Sequence, residues 1–311
     1  MENRTRKQPG VAAAKATASG ASTRRTSAAK TTKAANGVAA LAETIPSRSA
    51  AKADSDLPGA SSTLFVNSVE KAMRVLTAFD DKHSRLSLSQ IASLTDLDLS
   101  AAQRFTFTLV TLRYLVKDPF TKTYSLSPRL LDFAFHYLAS NELVRRAAPY
   151  LRQLSQETEE TANITVLEDT DIVFTLRIVS QHVLNPHVIT GSRLPAYCTA
   201  PGLAILSRLP EDQVRGILDG SNLIEHTPHT VADRPGIMKR LEAFRKQGYS
   251  HTKGEYYIGD ISTAAPIVDA RGYPIAAVNV AVSRARWRGA KDEQRISNLV
   301  IAAAGAISGQ F

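Results

Sequence analysis

Cysteine is nearly absent from this 311-residue chain: Cys198 is the only one. A single thiol excludes a disulfide framework and any cysteine-based zinc finger, and it suits a reducing compartment. Long hydrophobic runs are missing too. Nothing approaches the roughly 18–20 consecutive apolar residues of a membrane span, so no membrane partner is expected. No apolar core of about 7–15 residues follows the basic start, which argues against a secretory signal. Catalytic signatures are lacking: there is no Gly-x-Ser-x-Gly, His-Glu-x-x-His or Walker A pattern. His182/His187 and His226/His229 are irregularly spaced and have no acidic or cysteine partners in a metal pattern. They read as solvated loop histidines. Cys198 lies beside Tyr197 and Pro201 with no evident His/Asp set to activate it. The expectation is a non-enzyme with no cofactor and no metal.

Acidic residues are scarce at the front. Residues 1–60 hold ten Lys/Arg and four Asp/Glu, six of the net charge of +9, and the first aromatic is Phe65. A stretch dominated by Ala, Ser, Thr and Lys cannot bury enough apolar area to offset chain entropy, so residues 1–63 read as a disordered basic tail. Three roles are open to it. It is a solvated leader without a specific role, an arm that binds nucleic acid through phosphates, or an organelle transit peptide. The third lacks the usual amphipathic stripe. The remainder is long enough for about two domains, and 43% apolar content supplies their cores.

Helical spacing is present from the first ordered residues. Val69, Ala72, Met73, Leu76 and Phe79 mark one helix, with Asn67 or Ser68 as its cap. A second follows over SLSQIASLT, with Ser87 as cap and Gln90 three residues on. A short break, Asp96-Leu97-Asp98, leads to a third with Ser100 as cap and Ala101, Phe105, Leu109 and Leu112 on its apolar face. Two β-prone pieces around Asp118–Lys122 then form a hairpin. Three helices and a hairpin make a winged helix-turn-helix over 64–127. Its third helix enters the major groove. Gln103 pairs there with adenine and Arg104 with guanine, or either holds phosphate. Thr106, Thr108 and Thr111 are short donors that reach backbone oxygens; Ser87, Ser100 and Ala101 complete the DNA-facing set, Ala101 without a hydroxyl to offer a phosphate, and Lys117 and Lys122 sit on the wing. The module carries nine Lys/Arg against six acids over 65–130, so its charge alone leaves a protein-binding helical module open.

Residues 128–158 continue in helical periodicity through Leu131, Phe135, Leu138, Leu143, Leu151 and Leu154, with Pro149 setting a kink or a first turn. They read as linker helices, a domain connector or a dimer seam. From residue 161 strands alternate with helices. A hairpin turns at Glu168–Asp171, and helices are expected around Pro201-Gly202, over 211–220 and 235–247, and from Arg295 on. Two strands flank Ala270-Arg271-Gly272. An antiparallel sheet with helices segregated on it gives an α+β sensor-like domain over 159–311.

NSVEKAMRVLTAFD, LSLSQIASLTDL with Gln103-Arg104, TLRYLVKDPFTKTYSLSPRLL, GSRLPAYCTAPGLAIL and GYPIAAVNVAV occur in that order. This set resembles the IclR (isocitrate lyase regulator) family of bacterial transcription regulators over residues 65–311. The resemblance implies a winged-helix DNA reader joined to a GAF-like effector domain. It implies a cytoplasmic, nucleoid-associated homodimer or dimer of dimers at operators of catabolic genes, responding to a small organic acid. It places the effector cleft between the sheet and the segment matching Gly191–Thr199, faced by Tyr257–Thr263 and Asn279–Ala281. The other class of function open to the chain is a small-molecule-binding sensor or enzyme whose helical head contacts protein.

Within the expected cleft, Gly191-Ser192 offers backbone N–H groups to a carboxylate, and Arg193 is a candidate clamp. Ala196 and Ala281 are small wall residues. Tyr197 stacks on a ring or packs in the core, and Thr199, Ser262 and Asn279 supply neutral polar groups. Asp260 faces the ligand or caps a turn.

Overall fold

The computed structural model describes residues 61–182, 185 and 187–311. All of the basic tail before residue 61, with the three roles weighed for it, lies outside the described residues.

Helices α1 (Asn67–Thr77), α2 (Leu88–Thr95) and α3 (Leu99–Thr111) pack around Val75, Phe79, Ile91 and Leu109. A hairpin of β1 (Leu115–Lys117) and β2 (Tyr124–Leu126) closes this core with Leu115 and Tyr124. Ser87 starts α2 with a full capping box. Its Oγ accepts from the Gln90 N–H at 3.3 Å, and Gln90 Oε1 accepts from the Ser87 N–H at 2.9 Å. Such a cap stabilises a helix by about 1 kcal/mol. Two other expected caps are corrected. Val66 occupies the cap position of α1, and no side chain serves there. Asp98 caps α3, accepting from the Ala101 N–H at 2.8 Å, and Ser100 already lies inside the helix. A carboxylate there also complements the helix dipole, which a serine does not. The buried face of α3 is Ala102, Thr106 and Leu109, and Leu112 is half exposed.

Asn141 separates α4 (Leu130–Ser140) from α5 (Glu142–Thr158) by capping the second, its side chain accepting from the Val144 N–H at 3.1 Å. Pro149 lies in the interior of α5, which buries Leu143, Ala147, Leu151 and Leu154.

The carboxyl-terminal half is built on six antiparallel strands in the order β5-β4-β3-β8-β7-β6. They are β3 (Thr161–Glu168), β4 (Asp171–Ile178), β5 (Arg193–Pro195), β6 (Ser250–Lys253), β7 (Asp260–Val268) and β8 (Pro274–Ser283). The helices are α6 (Ala200–Leu206), α7 (Glu211–Gly220), α8 (Arg234–Gln247) and α9 (Ala290–Ser308). Alternation divides the sheet's residues between two cores. Ala162, Ile164, Val278, Val280 and Ile267 pack against α5 and α9. Ile172, Phe174, Ala264 and Ala277 pack against α6, α7 and α8. Strand β6 was not expected from the sequence, and α9 begins five residues before its expected start.

Gly202 is a point of close approach. A Cβ there would lie 2.2 Å from the Ala196 carbonyl oxygen, so α6 rests directly on the single 3-10 turn Ala196–Cys198. No helix among the described residues is long and apolar enough to cross a membrane.

Candidate functional site

On α3, Gln103 and Arg104 are exposed, and neither side chain has a hydrogen-bond or ionic partner among the described residues. Thr108 is also exposed, its hydroxyl donating back to the Arg104 carbonyl at 2.9 Å. Thr111 does the same to Phe107. Thr106 is corrected. It is fully buried, its hydroxyl donates to the Ala102 carbonyl at 2.8 Å, and it faces the core. Ala101 is half buried and gives its N–H to Asp98, whereas Ser100 is exposed. Ser87 is committed to its capping box. On the hairpin, Lys117 extends over the Tyr124 ring at 5.3 Å, and Lys122 is exposed. Sequence reasoning missed Phe107, which is 72% exposed on the same helix as Gln103 and Arg104. Its place one turn beyond Gln103, off the face marked by Ala101, Phe105 and Leu109, is the signal the sequence carries.

The second site is a cavity on the α6–α8 side of the sheet. Thr199, Asp260, Ser262, Asn279 and Ala281 line it, together with Phe174, Arg177, Asn163, Tyr256 and Tyr257. The other five candidates point elsewhere. The N–H groups of Gly191 and Ser192 already donate to the carbonyls of Phe174 (2.7 Å) and Ile189 (3.0 Å), so they are not available to an anion. Arg193 pairs with Asp171 at 3.3 Å and donates to the Glu168 carbonyl at 2.9 Å, tying the β3–β4 turn to β5. Ala196 is buried in the core. Tyr197 is buried as well, its hydroxyl donating to the Ile224 carbonyl at 2.7 Å and accepting from the Ile224 N–H.

The cavity's cation is Arg177, which sequence reasoning missed. A β-bulge explains its direction. Ile164 pairs with Leu176 and Thr165 with Phe174, leaving Thr175 as an extra residue on β4. Strict alternation from Ile172 and Phe174 would turn Arg177 away, and the extra residue returns it to their side. Ile172, Phe174 and Arg177 all line the cavity as a result.

Arg177 starts a chain of hydrogen bonds across four strands. It donates to Asn163 Oδ1 at 2.9 Å, Asn163 Nδ2 donates to Asn279 Oδ1 at 3.3 Å, and Asn279 Nδ2 donates to Ser262 Oγ at 3.0 Å. Every link runs the same way, so the Ser262 hydroxyl proton remains free to donate onward. Arg177 also holds the Asn185 carbonyl at 3.1 Å, while its buried Nε–H has no hydrogen-bond partner among the described residues. Burial lowers the Arg177 pKa, and the nearby Asp260 carboxylate opposes that shift. Burial pushes the Asp260 carboxyl up to about 7 against the pull of Arg177. Burial raises the Tyr257 phenol to about 12, with Asp260 adding to the shift. The Cys198 thiol is pushed well above its ordinary range by burial, which removes its nucleophilic form.

The segment that brings Tyr256–Asp260 to the cavity is anchored from outside. Glu255 forms a two-pronged pair with Arg240 at 2.6 and 2.7 Å, and the Thr227 hydroxyl donates to the Gly254 carbonyl at 2.6 Å. Phe174, Tyr256 and Tyr257 give the cavity apolar and aromatic walls, with Tyr256 and Tyr257 edge to face at 4.6 Å. Among the described residues no group of His, Cys, Asp and Glu is placed to hold a metal ion.

A helix-turn-helix head, carried on the same chain as a sheet domain with a polar, cation-bearing cavity, defines a class: a DNA-binding transcription regulator. Comparison with known proteins specifies it. The IclR helix-turn-helix domain matches residues 68–119, and the bacterial transcriptional regulator IclR C-terminal domain matches residues 135–309. The chain belongs to the IclR family. The Pca regulon regulatory protein of Pseudomonas putida is 32% identical over 240 residues, covering 77% of this chain and 82% of that one. The p-hydroxybenzoate hydroxylase transcriptional activator of Acinetobacter baylyi is 31% identical over 220 residues, covering 69% and 80%. The crystal structure of the regulator RHA06195 from Rhodococcus sp. RHA1 superposes with a TM-score of 0.68 at 31% identity, covering 79% of this chain and 98% of that one. These families and relatives are transcriptional regulators, which sets aside the reading of the chain as an enzyme.

Proposed function

We propose that this regulator answers to a small organic acid, an aromatic carboxylate by preference, held in the cavity at Arg177, and that it thereby controls a catabolic operon from the cytoplasm. The observation that carries the reading is a half-buried guanidinium, its Nε fully buried, in a cavity with aromatic walls. Three of its five N–H donors make no hydrogen bond among the described residues, and a carboxylate accepts such donors in charge-assisted bonds. Thr199, Ser262, Asn279 and Ala281 complete the wall, with Ser262 as the donor to a second polar group of the ligand. A relative named for p-hydroxybenzoate hydroxylase supports the aromatic class.

Residues 64–127 form the reading head in this proposal, 128–158 the linker and 159–311 the effector domain. Gln103 and Arg104 meet base edges, and Thr108, Lys117 and Lys122 meet the backbone of an operator duplex. The unit that binds is a homodimer or a dimer of dimers. Its support is α4, where Leu131, Phe133, Phe135 and Tyr137 are all more than half exposed and no residue is buried.

The test is calorimetry on the full chain with benzoate, 4-hydroxybenzoate and, as the uncharged control, 4-hydroxybenzyl alcohol. The acids bind and the alcohol does not. Arg177→Gln weakens acid binding by about 30-fold or more, the order expected when about 2 kcal/mol of charge-assisted bonding is lost. Equal binding of acid and alcohol, or an unaffected Arg177→Gln, overturns the proposal.

A further inference from the structure

Phe120 is 91% exposed, the highest value for any large apolar side chain among the described residues. It stands at the tip of the β1–β2 hairpin on backbone that is firmly held. Asp118 Oδ1 accepts from the N–H groups of Phe120 at 2.8 Å and Thr121 at 3.0 Å. The Lys122 N–H donates to the Asp118 carbonyl at 3.0 Å, and the Asp118 N–H donates to the Thr123 carbonyl at 2.8 Å. The Thr121 and Thr123 hydroxyls are bonded to each other at 2.8 Å, and Lys122 closes the turn at a φ of 59°. The backbone N–H groups of Thr121 and Phe120 lower the Asp118 pKa, which keeps this clasp ionised. The ring is therefore displayed by a pre-formed turn, with no apolar side chain covering it among the described residues.

Its surroundings identify what covers it. Lys117 and Lys122 are both exposed and neither has an acidic partner among the described residues. Arg85 adds a third cation at the base of the turn, 3.4 Å from Asp118. A single rigid aromatic with cations beside it complements a groove whose floor is stacked bases and whose rims are phosphates. A protein-docking anchor is instead normally set among other side chains that exclude water around it.

We propose that Phe120 is a minor-groove wedge: its ring enters between two adjacent base pairs beside the stretch read by α3, and Lys117 and Lys122 hold the flanking phosphates. Partial unstacking kinks the duplex, and pyrimidine–purine steps unstack most readily. The wing thus adds sequence preference at a position where it makes no hydrogen bond to a base. Deformability of the step is what it reads.

The experiment uses the full chain and a duplex that it selects from random-sequence DNA, end-labelled so that energy transfer reports the bend. Wild-type protein bends this duplex. Phe120→Ala abolishes the bend and binds about 10-fold or more weakly, with an unchanged dependence on salt because no phosphate contact is lost. Phe120→Leu, which keeps an apolar wedge, retains the bend. Lys122→Ala keeps the bend and lowers the salt slope by about one. Thermal melting of Phe120→Ala matches wild type, since the ring packs on nothing. A straight duplex in the wild-type complex overturns the proposal, as does a wild-type bend with Phe120→Ala. If that variant bends DNA normally yet fails to regulate in cells, the ring belongs to a protein contact instead.

Discussion

Asp260→Asn tests the electrostatics of the cavity without depending on the identity of any ligand. The Asp260 carboxyl titrates at about 7 in the folded chain because burial penalises its charged form. In the unfolded chain it titrates near its ordinary value of 3.8. The sign follows. Between about pH 4 and 7 the unfolded chain has released this proton and the folded chain has kept it, so the group lowers stability progressively as pH rises through that window. Above pH 7 the full penalty is present. Three pKa units at about 1.4 kcal/mol each set a ceiling of about 4 kcal/mol, and partial solvent access brings the expectation to about 2–4 kcal/mol. Asparagine matches the neutral acid in size and has no charge to bury. Its stability should equal that of wild type near pH 4 and exceed it by about 2–4 kcal/mol at pH 8. Urea unfolding followed by Trp287 fluorescence measures this, because the sole tryptophan packs against the core shared by α5, α9 and the sheet. A difference that stays constant from pH 4 to pH 8 would show that Asp260 is not buried as a neutral acid.

Other outcomes follow from packing and exposure. Gly202→Ala places a methyl group 2.2 Å from the Ala196 carbonyl oxygen and destabilises the effector domain by about 3 kcal/mol. Gly216→Ala, a helical position with open space around it, is neutral or stabilising by about 0.5–1 kcal/mol; equal melting temperatures for the two variants would contradict the close approach of α6. Phe107→Ala leaves melting unchanged but alters base preference at one operator position, while Arg104→Ala abolishes operator binding and leaves acid binding intact. Binding-site selection reads out Phe107→Ala, and operator titration with acid calorimetry reads out Arg104→Ala; wild-type preference from the first or wild-type operator affinity from the second removes that residue from the reading face.

Much of the fold is legible in the sequence because local signals and burial agree. The Ser87-x-x-Gln90 capping box, Gly248 at a φ of 83° behind α8, and the turn between Glu168 and Asp171 all stand where their residue types place them. Disagreements come from competition between adjacent signals. Asp98 and Ser100 both offer an oxygen to the start of α3. The carboxylate, two residues earlier, reaches the Ala101 N–H and sets the helix start. The earlier start goes with a buried face that takes in Ala102 and Thr106. Threonine can occupy it because its hydroxyl returns to a carbonyl of its own helix, leaving only the methyl to be buried.

The cavity is less legible than the head for a related reason: its charge is aimed by backbone irregularity rather than by pattern. Arg193 looks like the natural anion clamp, since it follows a Gly-Ser loop and precedes a buried turn. Local acids lie closer to it than any ligand would, and Asp171 with the Glu168 carbonyl occupies it. Arg177 has no acid within salt-bridge distance among the described residues, only neutral partners in Asn163 and the Asn185 carbonyl. An arginine held by amides leaves N–H donors over for an incoming carboxylate, whereas one already paired with a carboxylate does not. What turns Arg177 toward Phe174 is the extra residue at Thr175, which exchanges the two faces of β4 beyond that point. A period-2 reading places every residue of a strand by its neighbours and cannot register an insertion seen only against the partner strand. The bulge is visible only once Ile164 and Thr165 have been paired across the sheet, so the residue that gives the cavity its charge becomes identifiable only from the register.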